Sequence, residues 1–252
     1  NSLSKTWEYY LKSSEVKNLL PVNTEINKIK VCDPACGSGH ILVYAFDLLY
    51  DMYKEKGYPE KDIPRQIIEK NLYGLDIDKR AIQLASFAIM MKAQEKYKRF
   101  LKKSIDLKLN IFEIVDSKPV SEEALDLVVH TDKEREQLKS LILQFENGKQ
   151  FGSLIKPLNI DYDMYIQRIH QISEQEHDLI NQSFVNELKD TLLPVLQQAK
   201  LLSMKYEVVV TNPPYHNKYN PELKKFMNKE YNDYKSDLYS AFIYRCTQMT
   251  VE

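Results

Sequence analysis

The sequence has 252 residues, of which 43% are hydrophobic, so it is long and apolar enough to bury the core of one sizeable domain. Lys and Arg total 35 and Asp and Glu total 36, a balance that excludes binding to nucleic acid through bulk positive charge alone. Three cysteines cannot form a disulfide framework and suit a reducing cytosol, and no apolar run approaches the roughly 18 residues that span a bilayer.

The two ends of the sequence resemble the cut ends of a longer polypeptide. The opening, NSLSKTWEYY, is polar, begins without Met and lacks the pattern of a signal peptide. The last residues, SAFIYRCTQMTVE, stop within a helical pattern that has no cap or tail. We therefore expect a piece of a larger protein.

The first part of the chain has the pattern of a parallel α/β sheet. An apolar strand at 29–33 stops at Asp-Pro, glycines follow, and a buried helical pattern begins at His40. A second strand at 72–76 precedes a helix that runs to about Tyr97, with Asp78 as its N-cap. Strand, glycine turn and buried helix predict the first unit of such a sheet.

A long helical stretch then interrupts this pattern. After a third predicted strand at 105–111, residues 113–204 are polar and helical, and two lone glycines, Gly148 and Gly152, separate two helical groups. Five apolar residues recur at helical spacing: Leu188, Leu192, Leu196, Ala199 and Leu202. Because a buried strand pattern returns at 206–211, we interpret 113–204 as an insertion and not as a separate domain.

The chain is thereby divided into three parts. Residues 1–112 are the first part of the α/β domain, residues 113–204 are the helical insertion, and residues 205–252 continue the domain. The last part ends in a helix predicted over 236–250, with Ser236 as its cap.

The first candidate site is the turn after the first predicted strand. Its residues are Asp33, Pro34, Ala35, Cys36, Gly37, Ser38 and Gly39. Glycines let the backbone approach a ligand closely, and the helix N-terminus offers free N–H groups. At the end of the next strand, Asp76 can accept hydrogen bonds from both hydroxyls of a ribose. Together these residues predict a nucleoside pocket.

A dinucleotide-binding oxidoreductase is the main competitor for this pocket. The third glycine of that fingerprint is missing, since Leu42 stands there. The ribose acid of the fingerprint follows after about 20 residues, whereas Asp76 lies much further from Asp33. The Asp33 carboxylate would repel a pyrophosphate but suits the amino group of a methionine moiety. These residues therefore favour S-adenosylmethionine.

The second candidate site is the tetrapeptide Asn212-Pro213-Pro214-Tyr215, which follows the returning strand. Its two prolines remove two N–H donors and hold the backbone extended. The Asn212 side-chain oxygen and the Pro213 carbonyl can accept both hydrogens of one exocyclic amino group, and Tyr215 can stack on a base. Two such acceptors favour a pyramidal nitrogen that attacks a methyl sulfonium, and they stabilise the charge that develops on it. A polar turn is the alternative.

The order of DPACGSG, GLDID at 74–78 and NPPY resembles the amino-methyltransferase family of the adenine-N6 DNA type. Three longer stretches resemble the PglX-like methyltransferases of BREX phage defence: CDPACGSGHILVYAFDLLY, NLYGLDIDKRAIQLASFAIMMKA and KSDLYSAFIYRC. The resemblance covers the α/β portion, about half of the chain. It implies a truncated Rossmann-like S-adenosylmethionine-dependent methyltransferase fold, a parallel sheet flanked by helices with a helical insertion.

The resemblance also implies the role of each site residue. Asp76 would bind the cofactor ribose, Ile77 would pack on the cofactor adenine, and the tetrapeptide 212–215 would hold a target adenine flipped out of the duplex. Asn110 or Ile111 would lie near the amino group of the cofactor adenine, although the family usually has an acid there and Asn110 departs from it. The methionine end of the cofactor would be surrounded by Asp33, Pro34, Ala35, Gly37 and Gly39.

The resemblance therefore implies an adenine-specific DNA methyltransferase of the bacterial cytoplasm, in restriction-modification or BREX-type phage defence. Its partners would be double-stranded DNA, bound through the full-length protein, and proteins of the defence system, with no membrane. The opening NSLSKTW resembles the end of a helix that closes over the cofactor. Because the rest of that helix, the later strands and a target-recognition domain are missing, we expect the chain alone not to methylate DNA.

Other functions stay open at this point. Protein-glutamine methyltransferases also carry NPPY, since an amide NH₂ presents the same two donors, and a catalytically inactive DNA-binding or sensing module could share the fold.

Cys32 and Cys36 lack a second Cys/His pair at ligand spacing, so we expect no metal. The histidines, including His177 and His216, form no triad. The basic run at 92–103 could contact phosphates, but we interpret it as a solvated helix end, which is the commoner case.

Overall fold

The computed structural model describes Trp7 and residues 25–103, 106–175, 178–215 and 218–251. Outside the described residues lie His177, His216 and all of the opening stretch except Trp7. The helix end predicted for the opening NSLSKTW therefore lies outside them too. No helix in the described ranges is both long and apolar enough to cross a membrane.

The centre of the described structure is a parallel four-stranded sheet. Its strands are β1 (Val31–Asp33), β2 (Leu72–Asp76), β3 (Asn110–Glu113) and β4 (Val208–Val209). They lie in the order β3-β2-β1-β4, and each neighbouring pair is parallel. The carboxyl ends of the strands therefore meet at one edge of the sheet, where ligands bind in open α/β sheets.

Helices connect these strands. They are α1 (His40–Glu55), α2 (Ile63–Gln66), α3 (Lys79–Lys96), α4 (Glu122–Val128), α5 (Asp132–Gln144), α6 (Gly148–Phe151), α7 (Tyr162–Ser173), α8 (Leu179–Glu187), α9 (Leu193–Ser203), α10 (Pro221–Glu230) and α11 (Leu238–Met249). A π-helical turn, Leu188–Leu192, joins α8 to α9, and a 3₁₀ turn, Gly152–Leu154, follows α6.

Helices cover both faces of the sheet, because side chains of a strand alternate between its faces. Val31 and Leu72 point to one face and pack with the buried residues of α1 and α3. Cys32 and Tyr73 point to the other face and share a core with the helices of the stretch 113–204. This arrangement confirms the predicted α/β fold of a parallel sheet between helical layers, and it shows that residues 113–204 provide one of those layers.

Several local predictions are confirmed. The helix after β2 begins at Lys79, and the Asp78 side chain accepts the N–H of Arg80 at 2.8 Å as its N-cap. The five apolar residues at helical spacing between Leu188 and Leu202 are all buried. The basic run, interpreted as a solvated helix end, is only partly solvated, because Lys92 and Lys96 each form an ion pair with Asp47 of α1, at 2.9 Å.

Three element boundaries differ from the prediction. The third strand is Asn110–Glu113, not 105–111, because its pairing with β2 begins at Tyr73 with Asn110 and runs to Asp76 with Glu113. The last helix is capped by Asp237, not Ser236, since the Asp237 carboxylate accepts the N–H of Ser240 at 2.7 Å. The strand predicted over 206–211 is reduced to β4, flanked by a single bridge between Tyr206 and Thr250.

Candidate active site

The loop after β1 is held by its own backbone and by α3. Asp33 ends β1 with 1% of its surface exposed, and its carboxylate accepts the N–H of Ala35 at 3.1 Å. Gly39, at φ 84°, precedes α1, and a Cβ at this position would lie 2.8 Å from the Cβ of Ala85. Gly39 is therefore required for the close packing of α1 on α3, and it turns the chain at a positive φ.

The carboxylate of Asp76 joins the two predicted cofactor motifs. It ends β2 and accepts the N–H of Gly37 at 2.8 Å and the N–H of Asp78 at 2.9 Å. Because β1 and β2 are parallel neighbours, their carboxyl ends bring the loop and this acid together. A Cβ added at Gly37 would meet no atom within 4 Å, so the backbone at Gly37 is open to a ligand.

The tetrapeptide 212–215 lies beside the same loop, because β4 pairs with β1 on the side opposite β2. Pro213 is buried, whereas Asn212 and Pro214 are exposed and line the cavity described below. Tyr215 has 76% of its surface exposed, and its hydroxyl donates to Asn212 Oδ1 at 3.2 Å. The tetrapeptide therefore presents polar acceptors and an aromatic ring to solvent.

A cavity of about 340 Å³ unites these parts. Residues from both predicted sites line it: Pro34, Ala35, Gly37, Asp76, Ile77, Asn212 and Pro214. Residues that the sequence analysis did not single out complete it: Ile114, Lys149, Gln150, Phe151, Gly152, Ser153, Leu154, Leu238 and Phe242. The second group comes from the end of β3, from residues 149–154 and from α11.

Residues 149–154 form a wall of the cavity that the sequence analysis did not predict. Gly152 has φ 54°, and a Cβ there would lie 3.3 Å from the side chain of Ile77, across the cavity rim. The Ser153 hydroxyl donates to the Pro34 carbonyl. The lone glycines Gly148 and Gly152 were a usable signal, but the sequence analysis interpreted them as a break between helices.

A buried guanidinium on α11 fixes this wall. Arg245 donates to the carbonyls of Ser153 and Ile155 at 3.0 Å each and to the carbonyl of Leu202 at 2.6 Å. Buried carbonyls at the end of α9 and around residue 154 receive their donors from Arg245, and Arg245 thereby connects both segments to α11. Burial lowers the pKa of Arg245 from its ordinary value.

Asn110 and Ile111 are not brought into the cavity, which corrects their assignment. Both lie at the start of β3, and the Asn110 amide donates to the carbonyls of Ile68 and Glu69. Ile111 is buried in the core with α1 and α3. The register pairs Asp76 with Glu113, so the residues of β3 that reach the edge of the sheet are Glu113 and the following Ile114.

The electrostatics of the site favour a cationic or hydroxyl-bearing ligand. Burial raises the pKa of Asp33 to about 6, the nearby Thr211 hydroxyl and the Ala35 N–H lower it, and the charge of Asp76 raises it. Lys149, at the opposite wall, is held by Glu113 at 2.7 Å. A buried carboxylate with a raised pKa gains from a positive charge placed close to it.

Comparison with known proteins gives one consistent assignment. Residues 70–252 match the model of the Eco57I restriction-modification methylase family, and residues 3–131 match that of the N-6 DNA methylase family. The adenine-specific methyltransferase BrxX of Escherichia coli O9:H4 (strain HS) is 33% identical, over 96% of this chain and 22% of its own length. The adenine-specific methyltransferase PglX of Lacticaseibacillus casei (strain Zhang) is 34% identical, over 99% of this chain and 21% of its own length.

A shorter match links the chain to a third relative. A putative type II restriction enzyme and methyltransferase of Methanocaldococcus jannaschii is 40% identical over 27% of this chain. The chain spans about a fifth of the length of the first two relatives. The family implies a methyl donor and a DNA substrate.

Proposed function

The chain belongs to the N-6 DNA methylase family, as the resemblance predicted, and on that premise we propose that it is the catalytic core of an adenine-N6 DNA methyltransferase that uses S-adenosylmethionine. One observation carries this proposal. Asp76 ends β2 and Asn212 follows β4, and although β1 lies between these strands, both residues line a single cavity of about 340 Å³. A cofactor and a target base must meet in one such space for a methyl group to pass between them.

The residues around the loop fit this cofactor. Each oxygen of the Asp76 carboxylate already accepts one backbone N–H, and its remaining lone pairs accept the ribose hydroxyls. The exposed Ile77 side chain packs on the cofactor adenine, and the open backbone at Gly37 admits the methionine part. Leu154 of the wall and Phe242 of α11, both buried, add apolar surface for the rest of the nucleoside. S-adenosylmethionine, when bound, supplies a methyl group on a sulfonium centre.

The tetrapeptide holds the amino group of the target adenine. Asn212 Oδ1 and the Pro213 carbonyl accept its two hydrogens, and the Tyr215 ring stacks on the base. Both acceptors stabilise the positive charge that develops on the nitrogen. The surplus proton passes to water afterwards, so no side chain has to be a strong base.

The substrate of the full-length protein is double-stranded DNA, from which the adenine is flipped into the cavity. The names of the two long relatives support the adenine specificity. The setting that we propose is the bacterial cytoplasm, in restriction-modification or phage defence of the BREX type, with other defence proteins as partners.

The test is methylation by the full-length protein in a host that lacks its own adenine methyltransferases. We expect N6-methyladenine at one sequence context in the host DNA, detected by mass spectrometry of nucleosides and by sequencing that maps modified bases. Methyl transfer to a glutamine of a protein, with none to DNA, would instead support the protein-glutamine alternative. Cofactor binding with no acceptor of either kind would support the inactive sensing module.

The affinity for S-adenosylmethionine is expected to rise with pH through about 6. The pKa of Asp33 is raised to about 6, so the group is half protonated near that pH, and only its carboxylate form attracts the cofactor ammonium. Calorimetric titrations between pH 5 and pH 7.5 measure this. The Asp33→Asn variant keeps an acceptor for the Ala35 N–H but has no charge to gain, so its affinity should change less with pH. An equal pH dependence in both proteins would contradict the assignment.

The same group makes a signed prediction for the free protein. A carboxyl group whose pKa is higher in the folded state than in the unfolded state stabilises the fold below its unfolded pKa. The contribution of Asp33 is therefore present at acidic pH and is lost as pH rises through about 6. Bound cofactor offsets that loss, so the thermal shift that the cofactor produces should be larger at pH 7.5 than at pH 5.

A further inference from the structure

An aromatic side chain that the sequence analysis did not use lies against the ring of Tyr215. Tyr239 belongs to the first turn of α11, and the centroids of the two rings are 5.6 Å apart with an interplanar angle of 15°. This is an offset stack, the arrangement that aromatic pairs prefer. Tyr239 keeps 41% of its surface exposed, so its position is not dictated by burial in the core.

The hydroxyl of Tyr215 has an internal partner as well. It donates to Asn212 Oδ1, the atom that accepts a hydrogen from the target amino group in the proposed function. The ring face and this acceptor are two of the features by which the tetrapeptide would recognise a base. In the structure Tyr239 covers one face of the Tyr215 ring, and Asn212 Oδ1 accepts the Tyr215 hydroxyl.

The stack of Tyr239 on Tyr215 lies next in sequence to residues that line the cavity. Tyr239 follows Leu238 directly in α11, and Leu238 and Phe242 of the same helix line the cavity together with Asn212. Tyr239 therefore belongs to the turn of α11 that borders the cavity, and its own ring lies outside the cavity lining.

We propose that Tyr239 is a placeholder for the target base, a proposal that rests on the proposed function. An entering adenine displaces the Tyr239 ring from Tyr215, and its amino group replaces the Tyr215 hydroxyl as the donor to Asn212. One stacking contact and the hydrogen bond from Tyr215 to Asn212 are lost, whereas one stacking contact and two hydrogen bonds, to Asn212 and to the Pro213 carbonyl, are gained. A base without an exocyclic amino group regains the stacking contact but leaves Asn212 without its donor, so the exchange favours an amino-bearing base.

The test measures binding of the full-length protein to two duplexes in the presence of S-adenosylhomocysteine. One duplex carries the methylated sequence context, found by the mapping experiment above, and the other has an abasic site in place of the target adenine. For Tyr239→Ala we expect about three- to tenfold tighter binding to the intact duplex, the equivalent of one aromatic stacking contact. Binding to the abasic duplex should not change, since no base then competes for Tyr215.

Two further variants serve as controls. Tyr239→Phe restores the ring and should return the affinity to the parent value. Ile243→Ala removes an exposed side chain one turn later on the same helix and controls for truncation on α11.

Weaker binding of Tyr239→Ala to intact DNA would mean that Tyr239 supports Tyr215 from behind, and it would overturn the proposal. An unchanged affinity, or an equal gain on both duplexes, would overturn it too. Failure of the proposed function is distinguishable, because no N6-methyladenine would then be mapped.

Discussion

Replacing Asn212 by alanine is expected to lower kcat for methyl transfer to DNA by about two to three orders of magnitude, the usual cost of losing one preorganised group that stabilises transition-state charge. The affinity for S-adenosylmethionine should change little, because Asn212 contacts the target base and not the ribose or the methionine part in the proposed function. Single-turnover methylation, with calorimetry of cofactor binding beside it, separates the two effects.

The matched variant is Asn212→Asp, which keeps an oxygen at the acceptor position. We expect it to retain more activity than the alanine variant, since both amino hydrogens still find acceptors and the added negative charge favours a positive nitrogen. Tyr215 donates to the same oxygen in the parent, so the aspartate also preserves that hydrogen bond. Should Asn212→Ala keep its kcat within tenfold of the parent, Asn212 would not hold the reacting amino group.

Replacing Asp76 by alanine is expected to weaken cofactor binding about 10- to 100-fold, as the loss of a charge-assisted hydrogen-bonding group implies. The structure adds a second reason. The same carboxylate accepts the N–H groups of Gly37 and Asp78, so the variant loses the anchor of the loop as well as the ribose contact. Calorimetric titration with S-adenosylmethionine measures the loss.

Asp78→Asn is the matched control for this variant. Asp78 is exposed and caps α3, and asparagine is an N-cap of similar strength, so the substitution removes a nearby charge without removing the cap. We expect its cofactor affinity to stay within about threefold of the parent value, as for a screened surface charge. If Asp78→Asn weakens binding as much as Asp76→Ala, the effect is one of net charge, and the ribose assignment fails.

The sequence alone determined the family and the sheet, and it singled out seven of the residues that line the cavity. Asp76 and Asn212 could be singled out because each stands at or just after the carboxyl end of an apolar strand, and such ends of parallel strands meet at one edge. Gly37 was recognisable for a similar reason, since its motif spans a strand, a turn and a helix that are contiguous in the chain. Such signals are local, so a single sequence carries them.

The assignment of Asn110 failed because it depends on register. Leu107 and Leu109 belong to the apolar alternation of 105–111, but they pack on the core without strand pairing. The strand begins only at Asn110, which pairs with Tyr73 of β2. Alternation predicts which face a side chain takes, but it does not give the point along the neighbouring strand at which pairing starts. The residue that reaches the cavity from this strand's end is Ile114.

The tertiary structure decided the remaining parts of the site. Ser153 and Pro34 are 119 residues apart in the chain, and Arg245 and Ser153 are 92 apart, yet their contacts fix the wall formed by residues 149–154. The stack of Tyr239 on Tyr215 likewise depends on where α11 docks. The sequence by itself determined which groups stand at the ends of the strands, because that follows from local patterns. Only packing between distant segments determined what closes the cavity around them, because no local pattern encodes such contacts.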